Sequence, residues 1–193
     1  MLGGWNHNLE LGRFYGGAFK YEGGLSDGSV SNYSKKAGAA YVICKEEPLK
    51  IIGAGCASWS WASPIRMEAE AIAMGVFKAR QLGLQNIFVC SDAETFIRTI
   101  QSGGPGPLQL QDCITRIRRN DSLEDPIKWC KVSRDAVVAP EKLARAAAEE
   151  QVNIQTIGVQ DTYVRRLIQP VFPSLKQCVR EAIVDRLPSI HIM

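Results

Sequence analysis

The chain has 193 residues, of which 46% are hydrophobic and 22% charged, and a formal net charge of +3. These proportions suit a soluble globular protein with one proper core and favour neither a disordered chain nor a membrane class. The mild positive charge permits contact with phosphates without requiring it.

Residues 1–24 are rich in Gly, Asn and aromatics and keep no period, so they read as an irregular lead-in. A short strand follows and ends near Asp27-Gly28. Ala39 to Cys44 and Ile51 to Ser58 read as two more strands, separated by the polar Lys45-Glu46-Glu47-Pro48 turn, which gives a three-strand antiparallel meander. Ser63-Pro64 opens a helix over Ile65 to Leu82, because Ser suits the cap and Pro the first helical position, and Gly83 closes it. Asn86 to Cys90 is a continuous apolar strand. Ser91-Asp-Ala-Glu94 then has capping-box spacing ahead of a helix that carries Phe96, Ile97 and Ile100 and ends near Ser102.

Gly103-Gly-Pro-Gly-Pro107 is a breaker cluster, followed by a helical segment around Leu110 to Arg119 and a fifth strand from Ile127 to Val132. Pro140 and the Ala-rich run Leu143 to Glu150 predict a last helix, and the domain is expected to end near residue 150. Residues 151–193 form a partly helical extension. The order calls for an α/β fold of three layers, α/β/α, around a five-stranded mixed sheet. A right-handed crossover makes the fourth strand parallel to the first.

Six cysteines stand singly, with no CxxC pair, and read as buried free thiols. No charged segment leads into a long apolar run and no stretch of 18 apolar residues occurs, so secretion and membrane insertion are not expected. A reducing intracellular compartment and a monomeric protein are the expectations, with nucleus and cytoplasm not distinguished.

Three acids stand out by their settings: Asp27 at a strand-to-turn step, Glu68 in the first turn of the long helix, and Asp92 between a strand and a helix. Taken singly they have bland explanations. Asp-Gly is a common turn dipeptide, and the helix dipole favours acids in a first turn. Taken together, carboxylates from separate elements of one sheet repel unless a divalent cation holds them, as in two-metal nucleases. Glu68, Ala71, Ile72, Gly75, Ala79 and Leu82 share one face at helical spacing, while Glu70 projects away from that stripe.

These motifs resemble the ribonuclease H-like superfamily, and most closely the reverse-transcriptase-like ribonuclease H domains of plant genomes. The resemblance covers residues 25–150. It rests on Leu25-Ser-Asp27-Gly-Ser29, on Met67-Glu68 with Gly75 seven residues after the Glu, and on Ile87-Phe-Val-Cys-Ser-Asp92-Ala. A fourth motif departs from the family pattern of Arg, Asn and then Ala-Asp: this chain has Arg134, Val137 and Pro140-Glu141. Spacing is kept while the chemistry changes, because Glu141 reaches one methylene farther than Asp and Val137 forms no hydrogen bond.

The resemblance implies a metal-dependent endonuclease that cleaves the RNA strand of RNA/DNA hybrids. Two Mg²⁺ ions, with Mn²⁺ as a substitute, would sit roughly 4 Å apart. Asp27, Glu68, Asp92 and Glu141 would be the catalytic and metal-binding residues, with Glu68 near the substrate 2′-hydroxyl. Lys35 and Lys36 in the first hairpin, and Arg116, Arg118 and Arg119 on the helix after the breaker loop, are the candidates for gripping nucleic acid. The altered fourth motif motivates an alternative: a catalytically weakened nucleic-acid-binding domain derived from a retroelement.

Overall fold

A computed structural model describes residues 22–31, 36–45, 50–60, 62–157 and 162–168. The lead-in before residue 22, and with it His7, lies outside the described residues, as do Lys35, Trp61, Cys178 and His191.

Three long strands form the meander: β1 (Glu22–Ser31), β2 (Lys36–Lys45) and β3 (Lys50–Trp59). Helix α1 (Pro64–Gln81) leads to β4 (Ile87–Ser91) and α2 (Glu94–Gln101). A 3-10 turn (Leu108–Leu110) runs into α3 (Gln111–Arg119), followed by β5 (Lys128–Lys131), a second 3-10 turn (Arg134–Val137) and α4 (Val138–Glu150). Strand β6 (Ile154–Ile157) and α5 (Thr162–Ile168) complete the described chain.

The sheet has six strands in the order β5-β4-β1-β2-β3-β6, which corrects the expectation of five. The sixth comes from beyond residue 150, where Ile154 to Ile157 pair antiparallel with β3 and cover what would otherwise be an open edge. β1 is antiparallel to β2 and parallel to β4, and β4 is parallel to β5, so the mixed sheet and the crossover follow the expected order.

Two apolar layers flank the sheet. On one side α1, α2 and α3 bury Ile72, Val76, Phe96, Ile114 and Ile117 against Tyr41, Ile43, Ile87 and Val89. On the other, Leu143, Ala144 and Ala147 of α4 pack on Ala40, Val42, Ala54 and four cysteines, Cys44, Cys56, Cys90 and Cys130. The five described cysteines are free and buried. The Ala-rich α4 lies so close that a Cβ at Gly38 would fall 2.0 Å from the Ala144 carbonyl oxygen, an approach only glycine allows.

Local chemistry explains most boundaries and corrects three. Pro64 starts α1 at its first position, and Gly83, at φ +72°, closes it, with the Leu84 amide donating to the Ala79 carbonyl as in a Schellman end. The capping box does not form: α2 starts at Glu94, whose side chain pairs with Arg98 and Lys131, while Ser91 Oγ accepts from the Ala93 amide. Helix α4 starts two residues before Pro140, which sits in the first turn where a missing amide is harmless. Finally, β1 does not end at Asp27-Gly28 but continues to Ser31.

Candidate metal centre

Gly28 explains both that longer strand and the position of Glu68. A Cβ there would meet the Glu68 amide nitrogen and the Met67 carbonyl carbon at 2.5 Å each, so β1 passes directly under the start of α1. The glycine serves close approach rather than a turn. Asp27 is therefore a mid-strand residue, opposite Ala40 of β2, and its side chain is only 9% exposed.

Parallel pairing brings in Asp92. Leu25 of β1 stands opposite Cys90 of β4, and Asp27 and Asp92 each lie two residues farther along. Glu141 arrives from the first turn of α4, which packs across β1 and β2. The electrostatics record the meeting. Burial pushes the Asp27 carboxyl up to about 7, and the neighbouring charges of Asp92, Glu141 and Glu68 add to it against a hydrogen bond from the Gly28 amide. Burial and Asp92 also raise Glu68, while Arg134 opposes them. One Asp92 carboxylate oxygen, Oδ1, is buried with no hydrogen-bond partner.

Four acids from four elements thus share one field, and one of their oxygens lacks a donor. Like charges so arranged are stabilised by protonation or by a cation, and hard carboxylate oxygens suit Mg²⁺ or Mn²⁺. The donor chemistry fits a divalent ion, although among the described residues no three of these four acids bring ligand atoms within 4.8 Å of one another.

A second acidic group is a poor metal site despite its geometry. Glu70, Asp112 and Cys113 offer ligand atoms within 4.8 Å of one another. Yet Glu70 is buried, at 4% exposure, between two guanidinium groups. Arg66 donates to Glu70 at 2.6 Å and to both Asp112 oxygens at 2.5 and 2.7 Å, and Arg116 donates to the other Glu70 oxygen. The positive charge that a metal would supply is already there. Glu70, off the apolar stripe, meets a second partner: α3 covers another flank of α1, and the pairs Arg66–Asp112 and Glu70–Arg116 join the two helices.

Among the basic candidates, Arg116 is engaged with Glu70 and Arg118 donates to the Gly104 carbonyl at 2.6 Å, tying down the breaker loop. Arg119 is exposed at the end of α3, and Lys36 is half-exposed at the start of β2. Arg134, which stands by Glu68, was not among the expected site residues; its place in the fourth motif was the available signal. Val137 is 1% exposed in the α4-side core with Cys130, Val132 and Leu143. The altered motif thus places hydrocarbon where a polar side chain was expected.

A family model described as "Reverse transcriptase-like" matches residues 25–147, more than half of the chain. The chain belongs to that family. The matched stretch of this reverse transcriptase-like chain holds all four acids and stops before β6. An N-terminal RNase H domain from Mycobacterium tuberculosis, solved as a fusion with maltose-binding protein, aligns with a TM-score of 0.62 at 16% identity, over 68% of this chain and 96% of that one. RNase H1 from the halophilic archaeon Halobacterium salinarum gives 0.60 at 17%, over 67% and 98%. LC11-RNase H1, solved in complex with an RNA/DNA hybrid, gives 0.60 at 16%, also over 67% and 98%. At these identities the likeness shows the fold. No curated protein matches.

Proposed function

We propose that this reverse transcriptase-like domain is a metal-dependent endonuclease that hydrolyses the RNA strand of RNA/DNA hybrids. The observation that carries the reading is the Asp27 carboxyl, raised by burial and further by the negative charges of Asp92, Glu141 and Glu68. Asp27 and Asp92 would hold divalent cations, Mg²⁺ first, with Glu68 and Glu141 completing the set. Two such ions supply an activated water and stabilise charge on the leaving oxygen.

The chain's own residues supply positioning. Asp27 is fixed by its strand and by the Gly28 amide, so its carboxylate is already oriented before substrate arrives. Glu68, held close to β1 by the contact at Gly28, is the acid expected near the 2′-hydroxyl that distinguishes RNA from DNA. Arg134 offsets part of the negative field and faces a substrate whose phosphates need a cation. Lys36 and Arg119 are the exposed candidates for backbone contact, and the LC11 enzyme's complex with a hybrid supports a nucleic-acid partner.

One observation favours a second reading, a weakened nucleic-acid-binding domain. Val137 is sealed in the core and offers no hydrogen bond beside Glu141. The two readings separate in one assay with a labelled hybrid and Mg²⁺ or Mn²⁺. Cleavage that Asp92→Asn abolishes supports the enzyme; a hybrid bound but left intact supports the second reading.

A further inference from the structure

Helices α1 and α3 run side by side in the same direction, as the contacts Arg66–Asp112, Glu70–Arg116 and Arg80 to the Asn120 carbonyl show in order. Toward their C-terminal ends they part around a cavity of about 390 Å³ lined by Tyr41, Met74, Phe77, Lys78, Arg116 and Arg119, with Ala73 and Asn120 completing the wall. Glu68 lies nine residues before Phe77 on the same helix, which separates this cavity from the acid cluster by ~14 Å along the axis.

Two features of the lining are unexplained by folding. Lys78 and Arg119 make no ion pair among the described residues, and no acid lines the cavity. The carboxylates beside Arg116, Glu70 and Asp112, are both shared with Arg66. Lastly, Phe77 is 53% exposed at the rim, an unusual place for a large apolar ring on a helix whose other apolar residues are mostly buried.

An occupant that answers both must bring negative charge and a flat apolar surface. We infer that the cavity is a nucleotide site, with the base against Phe77 and Met74 and the phosphate held by Lys78 and Arg119. Clefts of this size bury small ligands, aromatic side chains stack on any base, and guanidinium groups favour phosphate oxygens. The phosphate monoester is either a free nucleoside monophosphate or the phosphorylated terminus of a strand. This inference does not depend on the acid cluster being active.

The test is calorimetric titration of the full chain, without added divalent cation, by AMP, by a 5′-phosphorylated single-stranded octamer and by the same octamer without phosphate. Saturable binding of AMP identifies the free nucleotide as a ligand; binding of the phosphorylated octamer alone identifies a strand end. In either case affinity should fall about tenfold or more in both Arg119→Glu and Lys78→Glu, surface changes whose folding circular dichroism checks, and should be unchanged in Asp92→Asn. Absence of binding by all three probes, affinity unchanged in the two charge reversals, or affinity lost in Asp92→Asn would overturn the site.

Discussion

Asp27 is the acid whose environment most departs from water. A carboxyl that ionises near 3.8 in its ordinary state and near 7 in the folded chain binds its proton more tightly when folded. Its contribution to stability is therefore fully present at acid pH and is lost as pH rises from about 4 through about 7. In metal-free buffer, Asp27→Asn should become increasingly stable relative to the parent chain over that interval, by on the order of 3 kcal/mol at pH 8. Thermal melts of both proteins between pH 4 and pH 8 measure it, and added Mg²⁺ should erase most of the difference by stabilising the parent. Parallel melting curves at every pH would mean that Asp27 is not held in the field described. Val137 gives the opposite kind of test. Restoring Asn there places an amide in an apolar core, so Val137→Asn alone should cost about 1–3 kcal/mol in urea unfolding rather than improve the domain.

Among the elements, contact between β1 and α1 is the joint on which the site depends. At Gly28 the neighbouring atoms are backbone, which cannot swing aside as a side chain does. Gly28→Ala should therefore separate strand from helix, lower stability by about 1–3 kcal/mol and reduce hybrid cleavage by about a hundredfold through displacement of Glu68. The α1–α3 joint is ionic instead. Removing both arginines, as Arg66→Met with Arg116→Met, leaves Glu70 buried without a partner and should cost about 3 kcal/mol; adding Glu70→Leu should recover most of it. Chemical denaturation of the three proteins decides this, since a triple variant as unstable as the double would remove the buried charge as the cause.

The same joints show what could be read from the chain. The positions of Asp27, Glu68 and Asp92 on successive elements followed from apolar runs and breakers, because strand, crossover and helix order leave few arrangements of one sheet. The burial of Glu70 was not legible for a physical reason: helical periodicity describes one face, and the second buried flank of α1 exists only because α3, some forty residues later, packs there. The Arg at position 66, one turn before Glu70, was the local hint. Asp27-Gly28 read as a turn because a glycine demanded by close packing looks in sequence like one demanded by a bend. β6 was missed because four residues after a left-handed Gln151, at φ 56°, carry too little pattern to signal a strand.

At the scale of the whole molecule, the sheet is a frame that carries acids from β1, β4 and two flanking helices to one place, with apolar layers on both faces. Among the described residues no helix is long and apolar enough to cross a membrane. The net charge of +3 is small, so contact with a polyanion would rest on local cations such as Lys36, Arg119 and Arg134. The four-acid cluster is proposed above as a hydrolytic centre. Its most direct measurement is Mg²⁺-dependent cleavage of a hybrid labelled on the RNA strand, by the parent chain and by Asp92→Asn in parallel. A hydrolytic centre cleaves the RNA strand in the parent chain and loses at least about a thousandfold of that activity in the variant. An intact hybrid with the parent chain, or equal cleavage by both proteins, would contradict it.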